Sequence, residues 1–164
     1  MLRASPQPAL HSTKFTEARA EFSVLFDEAV NDAKPVLIVR GQREHGMLIS
    51  RDTIRRLLAP FRLHVDVLPE DEGGFTLWLR ELDIGATAPT LQAARRELLS
   101  VIVDYVRDYW QRFALYRHLA DMAAKEPYVL RLSLAQTESE LVALLFDADP
   151  PTQTPTPKLN AFPA

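Results

Sequence analysis

KPVLIVRGQREHGMLIS, from Lys34 to Ser50, decides how the first part of the chain folds. Val36-Leu37-Ile38-Val39 is a β-branched and apolar run, and Gly46-Met47-Leu48-Ile49 is a second. The polar connection between them, centred on Gly41-Gln42-Arg43, reads as the turn of a β-hairpin. Ser50 then stands where a helix cap is needed, and Arg51 to Leu58 reads as a short helix that Pro60 stops. Upstream, Phe15, Ala18, Phe22, Leu25, Phe26 and Ala29 recur at helical spacing, with Thr16 as the expected N-cap. Pro35 ends that helix, because a residue before proline is pushed out of the α region. The first unit is therefore helix, hairpin, short helix over residues 12–60, preceded by a pattern-free arm over residues 1–11. So small a unit buries little apolar surface and should want a second copy of itself.

A second unit, residues 61–148, follows. Leu63, Val65 and Val67 alternate with polar residues, and PEDEGG (Pro69–Gly74) turns the chain into a second strand, Phe75–Leu79. A loop containing Gly85 and Pro89 leads to Thr90, which caps a long helical stripe of Leu91, Ala94, Leu98, Val101, Ile102, Tyr105 and Tyr109. That pattern is expected to run to about Ala124 with a kink and to end at Pro127. Tyr128–Leu134 reads as one more strand, and Thr137 with Glu140 as the capping box of a last helix reaching Phe146. Residues 149–164, with PPTQTPTP, read as a disordered, extended tail. The fold class is α+β.

Composition bounds the function. The 164 residues are 47% hydrophobic and 25% charged, a globular composition. No apolar run reaches the ~18 residues of a membrane span, and the first residues lack the apolar stretch of a secretory signal. Cysteine is absent, which removes thiol nucleophiles, thiolate metal sites and disulfides, and fits a cytoplasmic protein. The four histidines, at 11, 45, 64 and 118, show no metal-binding helical pair, and no phosphate-binding glycine loop or nucleophile elbow occurs. Glu70, Asp71 and Glu72, with Asp66 and Asp83, offer carboxylates for a divalent cation but read first as a solvated turn. The expectation is a protein that is not an enzyme and needs no cofactor or metal.

Net charge is −3, but unevenly spread. Residues 1–62 hold ten Lys/Arg against seven Asp/Glu, and residues 63–164 hold nine against fifteen, so +3 is followed by −6. Such asymmetry points to nucleic acid at the basic end. Arg19 is expected in the first turn of its helix, where the macrodipole disfavours a cation, so it reads as serving an anion bound at that end. Lys14 precedes the helix, and Arg40 and Arg43 flank the hairpin turn. If these ends meet, they form a basic patch suited to phosphates and to guanine. Each arginine by itself is equally an exposed, solvated side chain.

Phe15-Thr16-Glu17-Ala18-Arg19, Phe22, Lys34 through Gly41 and Met47-Leu48-Ile49-Ser50 resemble the Phd/YefM antitoxins in order and interval. The resemblance implies a dimerising module that binds operator DNA and represses its own operon. It also implies DNA contacts at the arginine of the helix start and that of the strand end, which are Arg19 and Arg40 here. Lys14, Thr16 and Arg43 are carried over with them. Phe22, Leu25, Phe26 and Ile38 are expected in the dimer interface or the module core, and the assembly is a homodimer or a higher oligomer. Val65 through Phe75 and Thr90-Leu91-Gln92-Ala93-Ala94 are similar to the HicB unit, although the loop Leu82-Asp83-Ile84-Gly85 departs from that family. The resemblance implies a cognate toxin of the RelE kind, a basic protein suited to the −6 half. Trp78, Leu141, Leu144 and Leu145 are the candidate toxin anchors. Trp78 reads first as hairpin core, and the last helix could equally pack on its own unit. The other function class is a DNA-binding regulator without a toxin, whose second unit serves assembly or ligand sensing.

Overall fold

The computed structural model describes residues 10–147. They form two compact units that part between Ala59 and Pro60. The tail expected over residues 149–164 lies outside the described residues.

The first unit is built on a three-stranded sheet in the order β1-β2-β3: β1 is His11–Lys14, β2 Val36–Arg40 and β3 Glu44–Leu48. β2 and β3 are the expected hairpin, with Val36 opposite Leu48 and Arg40 opposite Glu44. Gly41 takes a φ of +63° in the turn, which costs glycine nothing. β1 is unexpected: it takes the last residue of the pattern-free arm, His11, and the three residues that precede the helix. It lies parallel to β2, with Lys14 beside Val39. HSTK has no apolar alternation, because an edge strand is held by its backbone.

The single expected helix is also corrected. It breaks at Glu21 into α1, Phe15–Ala20, and α2, Phe22–Val30. Helix α1 starts one residue before Thr16, because β1 carries the chain in extended form as far as Lys14, which becomes the cap position. The Glu17 carboxylate accepts from the Lys14 backbone N–H at 3.3 Å. The break leaves Leu25 and Ala29 buried on α2 while Phe22 and Phe26 stand 52% and 46% exposed. Ala18, Leu25 and Val36 form the core of this unit, with Ile38 and Leu48 packed against it. Helix α3, Arg51–Leu57, begins as expected: the Ser50 hydroxyl accepts from the Thr53 N–H at 3.2 Å.

The second unit has an antiparallel sheet in the order β4-β5-β6, comprising Val65–Pro69, Phe75–Leu79 and Ile84–Ala88. β6 replaces the expected loop. Its Ile84 and Ala86 alternate inward, but Gly85 between them hides the pattern. Helix α4, Leu91–Gln111, covers one face, started by the Thr90 hydroxyl on the Ala93 N–H. Leu77, Leu79, Ala94, Leu98, Ile102 and Tyr109 form the centre of this core.

Helix α4 ends at Gln111, short of Ala124. A single turn, α5 (Phe113–Tyr116), follows, and α6 runs over Met122–Ser133. Pro127 sits inside α6 rather than ending a helix, and the strand expected over Tyr128–Leu134 is helical. Val129 and Leu132, three apart, are both buried, which is a helical face and not a strand alternation. Thr137 caps the last helix as expected, through the Glu140 N–H at 3.2 Å. That helix, α7 (Glu138–Val142), continues as one π-helical turn, Ala143–Asp147.

Candidate nucleic-acid interface

Because β1 runs beside β2 and passes directly into α1, the start of that helix is brought against the end of β2. The result is a groove of about 610 Å³ lined by Lys14, Phe15, Thr16, Arg19, Val39, Arg40 and Gly41. Four of the five residues expected to contact DNA meet there. Arg43, in the turn beyond β2, does not line it.

Within the groove the Arg40 guanidinium lies over the Phe15 ring, 5.3 Å from its centroid. Its Nε is 3.5 Å from a Glu44 carboxylate oxygen across the hairpin. Among the described residues neither Lys14 nor Arg19 has an acidic partner within ion-pair distance, so both charges stand open to an anion. Arg19 does not stand against the helix dipole as expected. With the break at Glu21, Arg19 falls in the last turn of α1, where a cation is favourable. The Glu17 carboxylate, not a bound anion, answers the start of this helix. Arg19 belongs to the basic surface because of the groove and not because of local frustration.

Phe15, Val39 and Gly41 are site residues that the pattern did not single out. Phe15 stood at the head of an apolar stripe and read as core, yet it is 41% exposed. Its place under an arginine follows from β1, which the sequence does not announce. Leu25 and Ile38 belong to the core of the first unit, whereas Phe22 and Phe26 lie outside it, their ring centroids 6.2 Å apart.

In the second unit, the sheet face opposite the core carries Trp78, 37% exposed. Gly85 lies across from it, and a Cβ there would come within 2.4 Å of the indole. Trp78 thus covers Gly85 and is not core. Beside it, Asp66 of β4 pairs with Arg80, the residue that follows β5, with the guanidinium donating to both carboxylate oxygens. The Arg80 hydrogen bonds hold the Asp66 carboxyl below the usual aspartate range. Thr76 binds Glu70 and Thr87 on the same face. Asp66 and Glu70 therefore already have protein partners, and among the described residues no three His, Asp or Glu side chains gather as metal ligands. Leu141 and Leu145 are buried and Leu144 is packed against the same core, so these three fill the unit's own interior. A further groove of about 690 Å³ runs between α4 and the segment Leu132–Leu141.

Comparison with known proteins gives this architecture a context. Residues 9–146 match the PHD_like family, described as an antitoxin of a toxin–antitoxin RelE/RelB system. The chain belongs to this antitoxin family. A crystal structure of an antitoxin part of a proposed toxin/antitoxin system from Syntrophomonas wolfei subsp. wolfei has the same fold. The TM-score is 0.73 at 24% identity, over 83% of this antitoxin and 96% of that chain. No curated protein matches the chain. Among the described residues no helix is long and apolar enough to cross a membrane.

Proposed function

We propose that this antitoxin is a cytoplasmic DNA-binding dimer that represses its own operon and neutralises a RelE-like toxin by direct binding, without catalysis. The observation that carries the DNA reading is the groove that gathers Lys14, Thr16, Arg19 and Arg40. Three cations at one concave site, two of them without an acidic partner among the described residues, attract phosphates, and an arginine fork suits a base edge. Arg43, exposed in the hairpin turn outside the groove, is a further phosphate contact in this reading.

The dimer reading rests on the core of the first unit. Among the described residues, Leu25 and Val36 are the only side chains larger than alanine buried in that cluster, too few for a stand-alone module of this size. Phe22 and Phe26 present adjacent aromatic rings that a second copy would cover. Two such modules set two basic grooves on one dimer, so the operator is a short palindrome. The first unit is in this reading a Phd/YefM-like module.

The toxin reading rests on family membership together with the −6 charge of residues 63–164. A basic, RNA-handling partner fits that charge, and Trp78, solvent-facing between charged and hydroxyl side chains, is the anchor. One observation favours the second reading, a ligand-sensing regulator. The groove between α4 and Leu132–Leu141 falls within the size range of small-molecule sites.

Fluorescence anisotropy with a duplex from upstream of the gene tests the DNA claim. Arg19→Ala and Arg40→Ala should each weaken binding several-fold, and unchanged affinity in both would remove the groove from the interface. Co-expression with the product of the adjacent reading frame tests the toxin claim. Growth arrest relieved by this chain, with a co-purifying complex, supports it; no arrest and no complex favours the regulator.

A further inference from the structure

The groove treats its three cations unequally. Lys14 and Arg19 have no acidic partner among the described residues and reach the groove on side chains whose many rotamers leave their ends loosely placed. Arg40 is held on two sides. The Phe15 ring lies under its Cζ, 5.3 Å from the ring centroid, and a Glu44 carboxylate oxygen lies 3.5 Å from its Nε. Both partners are set by the backbone. Phe15 follows directly on Lys14, which is in register with Val39, and Glu44 is the cross-strand neighbour of Arg40.

The consequence lies in the free end of the side chain. With Nε turned to Glu44, the two terminal nitrogens have no partner among the described residues. They form a forked pair of donors beside the aromatic ring, left open for a ligand. Guanine presents two acceptors, O6 and N7, at matching spacing on its major-groove edge, and a preset guanidinium loses less freedom on meeting them. A phosphate contact needs no such orientation. Lys14 and Arg19 fit that less demanding task.

We infer that Phe15 is a specificity-determining positioning residue, which together with Glu44 presents Arg40 to a guanine while Lys14 and Arg19 hold the phosphate backbone. The inference rests on the DNA-binding reading above and divides its labour among named side chains.

The test is selection of bound duplexes from a randomised pool by the full chain, followed by salt titrations on the enriched sequence and on the unselected pool. Wild type should enrich one guanine per half-site. R40K keeps the charge but not the fork, so it should lose that preference and keep the salt slope. F15L should lower the preference about two- to fivefold, the factor corresponding to an exposed cation–π contact, with the slope unchanged. F15Y, which keeps the ring, should behave as wild type and shows that the position tolerates change. K14A and R19A should do the reverse, flattening the slope while the guanine preference stays. A guanine preference that survives either F15L or R40K unchanged overturns the inference and leaves DNA binding standing. Failure of wild type to bind the pool in a salt-dependent manner overturns both.

Discussion

Gly73 and Gly74 end the turn between β4 and β5, and they differ in one respect that mutation can isolate. Both have positive φ, +91° and +114°. An alanine at either is strained by about 1–2 kcal/mol, the cost of forcing an L residue into that region. At Gly73 the added Cβ would meet nothing within 4 Å. At Gly74 it would lie 2.8 Å from the Ala88 carbonyl oxygen and 3.5 Å from the Pro89 Cα. Those are backbone atoms at the end of β6, so relief requires moving a strand rather than turning a side chain. Overpacking of that kind costs a further 1–3 kcal/mol or so. Both tryptophans, Trp78 and Trp110, belong to the second unit, so thermal unfolding followed by their fluorescence reports that unit. G73A should melt moderately below wild type, and G74A roughly 5–20 °C below G73A. Equal melting temperatures for the two variants would refute the close approach of the turn to β6, and with it the placement of the third strand.

Other outcomes follow from the same geometry. The Arg80 hydrogen bonds lower the Asp66 pKa in the folded state, so this pair stabilises above the ordinary aspartate value of 3.8 and ceases to do so as pH falls through the folded value. D66N should therefore be less stable than wild type at neutral pH, by less than about 1 kcal/mol for a partly exposed pair, and the two should converge in acid urea titrations. Replacing both Phe22 and Phe26 by serine should raise the dimer dissociation constant on the order of a hundredfold or more, read by sedimentation velocity as a monomer at micromolar concentration. W78A should lose the co-purifying toxin while DNA affinity stays within twofold.

The hairpin over 36–48, the Ser50, Thr90 and Thr137 caps and the apolar stripe of α4 were legible in the sequence, because each rests on local chemistry within a few residues. What was not legible rests on contacts that are distant or backbone-borne. β1 carries no apolar alternation, and β6 has its alternation interrupted by Gly85, whose purpose is visible only once Trp78 lies across from it. Pro127 read as a terminator, yet α6 accommodates it, since Val129 and Leu132 gain burial by staying on one helical face. The basic residues of the groove were named from the chain, but not the reason they meet. The break at Glu21 puts Arg19 at the favourable end of its helix dipole, and β1 sets Phe15 beside Arg40 and not in the core, and neither is announced by local spacing.

The most direct test of the central claim is the salt dependence of binding to a duplex from upstream of the gene. A dimer that sets Lys14, Arg19 and the turn arginine Arg43 on phosphates in both copies should give a plot of log Kobs against log[salt] with a slope of roughly −5 to −6. Replacing Lys14 and Arg19 together by alanine should flatten it by about 3–4. A slope near zero, or the same slope in wild type and the double variant, would contradict the assignment of this groove to DNA.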